Sequence, residues 1–189
     1  MKKLFLLVLV AVELAVCGCG SSNNTSTTTN TQATGNWEAQ LTGGTDQASL
    51  LDFVTSFNVT NSGPLDITGF GFFNQGTCFA TGTNAETVTG NASFSTSSTN
   101  SVTGTLNLTI TSTTNGSVLT LDPGSLTGTS NGTTTTTGTL SNGVVVGTWS
   151  LQPGTGATGC NAAKGNYILC QDKATCSVTG AAAALKGVH

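Results

Sequence analysis

The sequence predicts an all-β domain, an antiparallel up-and-down meander of about eight to ten strands that forms a barrel or a sandwich. Apolar and polar residues alternate through much of the chain, and almost no segment has the 3.6-residue period of an amphipathic helix. Thr is the commonest residue, and its β-branched side chain suits a pleated sheet better than a helix. Because closure removes the two exposed edges of a meander, we favour a barrel.

The clearest alternation lies in residues 102–110, where even positions are apolar or Gly and odd positions are Thr or Asn. One face of this strand is therefore predicted to be buried and the other solvated. Three further groups alternate in the same way: Trp37, Ala39 and Leu41; Leu51, Phe53, Phe57 and Val59; Val88, Gly90, Ala92 and Phe94. Segments 67–73 and 144–151 are more apolar, which is typical of central or doubly covered strands.

Turn signals separate these segments at short intervals. They are the Asn-Ser-Gly-Pro run at 61–64, Asn115-Gly116, Pro123-Gly124, Asn131-Gly132 and Asn142-Gly143. Asn-Gly pairs favour hairpins because both residues tolerate a positive φ. We therefore predict a turn at each of these five places.

The first residues have the parts of an export signal, with Lys2 and Lys3 followed by an apolar run at 4–12 and then by small residues. This run is too short to span a bilayer as a helix, which takes about 20 residues. The stretch LAVCGCGSS at 14–22 resembles the lipobox of bacterial lipoproteins, in which a cysteine after a small residue is acylated and becomes the N-terminus. Cys19 follows Gly18 and fits this pattern better than Cys17.

The resemblance implies that Cys19 carries the lipid and anchors the protein to a membrane. Since Gly20 rather than Asp follows the cysteine, it also implies the outer membrane of a bacterial envelope. We predict four regions: a signal peptide at 1–18, a lipidated N-terminus and flexible tether at 19–35, a β domain at 36–180 and a tail at 181–189. The tether is predicted because residues 20–35 contain no apolar side chain larger than that of Ala.

Two Gly-x-Trp triplets, Gly35-Asn36-Trp37 and Gly147-Thr148-Trp149, resemble the opening of lipocalin-type and avidin-type barrels. In those families the Trp closes one end of the core, so the resemblance implies a lipocalin-like barrel. The whole mature chain also resembles Thr/Gly-rich bacterial lipoproteins that have a strand-rich body.

Four cysteines remain after removal of the leader and acylation of Cys19: Cys78, Cys160, Cys170 and Cys176. An exported protein is expected to form disulfides, and three pairings are possible. We favour Cys170 with Cys176, across a tight loop, and Cys78 with Cys160. A zinc site of four thiolates is the alternative, but neither a C-x-x-C pair nor a nearby His supports it, and we expect no metal or cofactor.

The charge composition argues against nucleic-acid binding and against most enzyme classes. Only 7% of the residues are charged and Arg is absent, so the chain cannot neutralise a row of phosphates. The single His is the last residue, His189, where a chain frays, and the carboxylates show no paired spacing. We therefore expect no catalytic residues, although a two-carboxylate hydrolase can draw its partners from distant strands.

Four phenylalanines, Phe70, Phe72, Phe73 and Phe79, surround one short segment. They either pack in the core or line a ligand cavity, and the candidate lining residues are Trp37, Phe70, Phe72 and Trp149.

Three functions remain as hypotheses. The first is a monomeric, non-enzymatic, lipid-anchored envelope protein whose β domain binds an envelope protein or acts at the surface. The second is a lipocalin-like carrier of a small apolar ligand, and the third is an envelope hydrolase. A cavity lined by Phe72 and Trp37 would favour the carrier, and a filled core would favour the interaction module.

Overall fold

The computed structural model describes residues 30–43, 51–73, 77–79, 85–133 and 136–171. The strands are β1 (Thr31–Thr42), β2 (Phe53–Thr60), β3 (Ser62–Pro64), β4 (Asp66–Phe72), β5 (Glu86–Thr96), β6 (Ser101–Ser112), β7 (Val118–Ser130), β8 (Gly138–Gln152) and β9 (Ala163–Cys170). The predicted all-β class is confirmed, and the nine strands lie within the predicted number. The described segments include no helix long and apolar enough to cross a membrane.

All nine strands belong to one sheet in the order β3-β5-β6-β7-β8-β9-β1-β2-β4. The two ends of this order, β3 and β4, are consecutive in the chain and are separated only by Leu65. The backbone N–H of Leu65 donates to the carbonyl oxygen of Gly90 on β5 (2.9 Å), and from there the chain pairs with β2 instead. Residues 62–72 therefore connect both ends of the meander, which forms a nearly closed barrel.

A fork in the sheet lies where β9 ends. Beyond Cys170, strands β1 and β8 pair directly with each other, in parallel, at their first residues. The side chain of Gln171 fills the fork, because its Nε2 donates to the carbonyl oxygens of Thr34 (2.9 Å) and Leu140 (2.8 Å). Its Oε1 accepts a hydrogen bond from the N–H of Gly143 (3.1 Å). One amide thus satisfies the backbone groups that the diverging strands leave without a partner.

Large side chains of one sheet face fill the barrel. The largest that are fully buried are Trp37, Trp149, Tyr167, Phe53, Phe57, Leu51, Leu106, Leu108, Ile110, Leu119, Leu121 and Leu126. The predicted alternation along residues 102–110 is confirmed, since the buried positions within this segment of β6 are all apolar. Burial of this apolar surface is the main contribution that holds the sheet closed.

Tyr167 packs inside the barrel against two glycines. Its hydroxyl donates to the carbonyl oxygen of Asp122 (2.9 Å), and burial, together with the charge of Asp122, raises the pKa of Tyr167. A Cβ on Gly124 would collide with the Tyr167 hydroxyl, and one on Gly147 would collide with its ring. These two positions are therefore glycine because the ring occupies the space of a side chain.

Two of the predicted turns are confirmed, since Asn115-Gly116 connects β6 to β7 and Asn131-Gly132 lies between β7 and β8. The turn predicted at 61–64 is confirmed only at Asn61, which has a φ of 52°, because Ser62–Pro64 forms β3. The turn at residues 97–100 between β5 and β6 was not predicted, although Asn100 has a φ of 61°.

The other two predicted turns are wrong, because both pairs lie inside strands. Pro123-Gly124 belongs to β7, where the register against β6 and β8 shifts, so the pair forms a bulge of the kind that tolerates Pro. Asn142-Gly143 belongs to β8, and the φ of 54° at Asn142 bends the strand without ending it. Strand β8 continues past the irregularity in β7, and strand β7 continues past the one in β8.

The apolar segment 144–151 lies in β8, between β7 and β9, as a central strand should. Segment 67–73 lies instead in β4, at one end of the strand order, so the interpretation as a central strand is wrong there. It is rich in apolar residues because Phe70 and Phe72 pack against the core, while Gly69 and Gly71 occupy the outer face.

The strand boundary at the N-terminal side also differs from the prediction. Residues 31–35 belong to β1 and not to the tether, because Thr31 and Ala33 are buried inside the barrel. The Thr31 hydroxyl is hydrogen-bonded to those of Thr96 (2.7 Å) and Ser130 (3.0 Å), which anchors this strand end without a large side chain. The predicted signal peptide, Cys19 and the tail at 181–189 lie outside the described residues.

The predicted disulfide between Cys78 and Cys160 is confirmed, with their Cα atoms 4.8 Å apart. It joins the segment after β4 to the connection between β8 and β9. Cys170 is fully buried and disulfide-bonded, and Cys176, its predicted partner, lies outside the described residues.

Candidate functional site

The two tryptophans predicted as lining residues are core residues. Trp37 stacks on Phe57 with ring centroids 5.1 Å apart and is completely buried. Trp149 is also buried, and its Nε1 donates to the carbonyl oxygen of Thr42 (3.2 Å). The Nε1 of Trp37 has no hydrogen-bond partner among the described residues, so packing accounts for its position.

The phenylalanine cluster packs on itself. The ring centroids of Phe70 and Phe72 lie 5.0 Å apart, and Phe70 also contacts Phe53 at 5.2 Å. Phe72 packs on Phe79 at 4.6 Å, next to the disulfide of Cys78. The cluster thus joins β4 to the disulfide-bonded segment.

Three clefts lined by described residues have volumes between about 310 and 480 Å³, within the range of about 300 to 1,000 Å³ that small-ligand sites occupy. Trp37, Phe72 and Trp149 line none of the three. The first, of about 470 Å³, lies between the end of β8 and the start of β9 around Pro153 and Lys164. The other two lie side by side.

The second cleft, of about 480 Å³, crosses the outer face of β1, β2 and β4. Its lining residues are Asn36, Glu38, Val54, Thr55, Ser56, Gly69, Phe70 and Gly71. The sheet register places six of these eight residues in two rows across the strands, Asn36-Ser56-Gly69 and Glu38-Val54-Gly71. The floor of this cleft is open because the β4 position of each row has no side chain.

The third cleft, of about 310 Å³, lies at the fork between β1 and β8. It is lined by Thr34, Gly35, Asn36, Leu140, Ser141, Asn142 and Gln171. Asn36 lines both this cleft and the second one. We call the two together the outer groove, which runs from β8 across β1 and β2 to β4 with Asn36 at its middle.

The polar groups of the outer groove are mostly uncharged. The Ser56 hydroxyl donates to Asn36 Oδ1 (2.6 Å), which fixes the amide and directs its Nδ2 donors elsewhere. Glu38 is the charged side chain that lines the groove, and its carboxylate is almost fully buried. No Lys or Arg is found among the described residues that line it.

Among the described carboxylates, the one whose pKa is shifted most lies outside the outer groove. Burial raises the pKa of Asp52 to about 6, and a hydrogen bond from the N–H of Leu41 (2.7 Å) partly opposes this shift. Burial also raises the pKa of Glu86. No group of three or more His, Cys, Asp or Glu side chains with metal-binding geometry occurs in the part of the chain that is described.

Comparison with protein-family models, with curated proteins and with solved structures finds no match to this chain. The functional interpretation therefore depends on the geometry of its own residues.

Sequence reasoning identified one residue of the outer groove, Phe70, and missed the others. The local signal was the GFGF run at 69–72, in which Gly alternates with Phe and takes both outward positions. The remaining members come from β1, β2 and β8, and only the sheet register brings them together.

Proposed function

We propose that this protein is a lipid-anchored component of a bacterial cell envelope, and that its β domain is a non-enzymatic binding or surface-interaction module. The main observation in favour is the contrast between the barrel interior, filled by fully buried rings, and the open outer groove. A module of this kind presents its binding groups on the outside of a rigid scaffold.

The anchor is supported by the lipobox-like stretch that ends in Cys19. Acyl chains on this cysteine bury methylene groups in the bilayer, each contributing about 0.8 kcal/mol, so no surface of the β domain has to contact lipid.

The lipocalin-like carrier has less support. A carrier needs an interior cavity, and the two residues expected to line it, Trp37 and Phe72, pack instead against Phe57 and Phe79.

Metabolic labelling with a palmitate analogue tests the anchor. We expect label in the wild type and in Cys17→Ser, and none in Cys19→Ser, which should accumulate as an unprocessed precursor because a hydroxyl is a far weaker nucleophile than a thiolate. Label that persists in Cys19→Ser and disappears in Cys17→Ser would show that the other cysteine is acylated. A wild type without label would overturn the lipoprotein proposal.

Native mass spectrometry of the protein purified from its own envelope tests the module. A retained envelope component whose loss follows substitutions in the outer groove supports the proposal. A stoichiometric apolar small molecule that resists those substitutions would favour the carrier instead.

A further inference from the structure

We infer that the outer groove binds an uncharged oligosaccharide that lies across the strands, with Asn36 at its centre. The inference rests on the proposed binding function and specifies the ligand class.

The outer groove is unfilled at the two glycines of β4. A Cβ built on Gly71 meets no atom within 4 Å, and one on Gly69 meets only Ser56, at 3.6 Å. Neither glycine has a positive φ, so neither backbone conformation demands glycine. Glycine weakens a strand by roughly 0.5 to 1 kcal/mol relative to alanine. A strand glycine that neither packing nor conformation requires at 71 fits a site that a ligand approaches closely.

The side chains that line the outer groove are mostly uncharged and polar. The exposed ends of Thr34, Asn36, Ser56, Ser141 and Asn142 are hydroxyls and carboxamides. Such groups both donate and accept hydrogen bonds, as the hydroxyls of a sugar do. The Ser56–Asn36 hydrogen bond holds one carboxamide in place before a ligand arrives. A preorganised polar group loses less conformational entropy on binding.

Charge decides between classes of glycan. Among the described residues that line the outer groove, Glu38 is the charged one and none is Lys or Arg. The described lining offers no cation to pair with an anionic ligand, so uronates, phosphates and sulfated sugars fit poorly.

An extended peptide fits less well than a glycan. Peptide recognition by a sheet uses an open edge, where backbone groups are available, or deep apolar pockets. The outer groove lies on the face of the sheet, where backbone N–H and C=O groups point along the sheet plane towards neighbouring strands. A ligand on this face therefore meets side-chain hydroxyls and amides.

The experiment uses the full chain, purified in a zwitterionic detergent that has no sugar headgroup, with backbone amides observed by NMR. The probes are maltohexaose, cellohexaose, mannohexaose and N-acetylchitohexaose, each at about 10 mM, where a site with a Kd of about 1 mM is mostly filled. We expect at least one of them to shift the amide signals of Asn36 and Gly71 and to leave Lys164, near the separate cleft, unchanged. Glycan binding is read from these amide signals. A failure of glycan binding is therefore distinguishable from a failure of lipid anchoring.

Two variants locate the site. Gly71→Leu fills the second cleft and should weaken binding at least tenfold, whereas Gly156→Leu, at a loop glycine outside the groove with only ordinary contacts, should leave it unchanged. Asn36→Ala should weaken binding about fivefold, as expected when a hydrogen bond worth about 1 kcal/mol is lost. Its control is Asn91→Ala, an exposed position on β5. Since Asn36 is exposed, this variant keeps the test decisive if Gly71→Leu does not fold.

Several results would overturn the inference. These are the absence of shifts with all four glycans, equal binding by a hexagalacturonate, preferential binding of a hexapeptide of alternating Thr and Val, and binding that survives both groove variants.

Discussion

The glycines inside the barrel and those of the outer groove have opposite surroundings. A Cβ on Gly104 would collide with the carbonyl oxygen of Ser93, and Gly124 and Gly147 make room for Tyr167. On the outer face of β4, a Cβ on Gly71 would meet no neighbour. The same residue type is thus required by packing in one region and not in the other. The number of glycines therefore does not identify a binding surface. A strand glycine that no neighbouring atom requires is the better indicator.

The disulfide joins the segment after β4 to the connection between β8 and β9, and its loss should have the largest effect. Replacing Cys78 and Cys160 together by Ala opens a covalent loop with a sequence separation of 82, which should lower the free energy of unfolding by about 4 to 5 kcal/mol in the chain-entropy model. Urea unfolding monitored by tryptophan fluorescence measures this loss. A loss below about 2 kcal/mol would show that the unfolded chain is already compact or that the segment after β4 contributes little to stability.

Gly104→Ala should produce the next largest effect. The new methyl group cannot avoid the backbone of Ser93 and Phe94, so strand β6 or β5 must shift, at a cost of about 3 kcal/mol. The midpoint of urea unfolding should fall accordingly. A variant as stable as the wild type would mean that the contact between β5 and β6 is looser than this geometry implies.

Asp52→Asn tests the largely buried carboxylate that directly precedes β2, and its effect on stability should depend on pH. The folded-state pKa of about 6 lies above the ordinary value of 3.8, so the wild type loses stability as the pH rises from about 4 through 6. The variant does not titrate here and can keep the hydrogen bond from Leu41. Above pH 7 it should be more stable by about 1 kcal/mol, after allowance for solvent screening of a partly exposed group.

Unfolding measurements at pH 4 and pH 8 test this. The two proteins should be equally stable at pH 4 and differ at pH 8, and the exposed Asp66→Asn serves as the control. A constant difference at both pH values would contradict the assignment to Asp52 ionisation.

Gly71→Ala should have the smallest effect and the opposite sign. The methyl group enters open space and restricts the unfolded chain, so stability should rise by about 0.5 kcal/mol. Thermal unfolding of Gly71→Ala beside Gly104→Ala gives the matched comparison. A destabilised Gly71→Ala would indicate that packing does require glycine there and would remove the main argument for a ligand.

Local patterns predicted much of the fold. The period of two placed the inward-facing apolar residues of β2, β5 and β6, and those of β1 from Trp37 onward, because in a strand successive side chains point to opposite faces. It did not predict the burial of Thr31, Ala33, Glu38 and Gln40 in β1. The turn signals were less reliable. Pro123-Gly124 and Asn142-Gly143 have the composition of turns. Both nevertheless lie inside strands, because β7 and β8 pair with each other on both sides of each pair.

The sequence by itself determined the all-β class, the inward-facing residues and the pairing of Cys78 with Cys160 as the favoured one. Only the tertiary structure decided how the sheet closes through residues 62–72, how Gln171 fills the fork, and which residues form the outer groove. The groove draws on β1, β2, β4 and β8, and strand register alone places Asn36 and Gly69 in one row, on either side of Ser56. Alternation is a property of a single strand, whereas register and closure depend on the packing of all nine strands, and no short stretch of sequence encodes them.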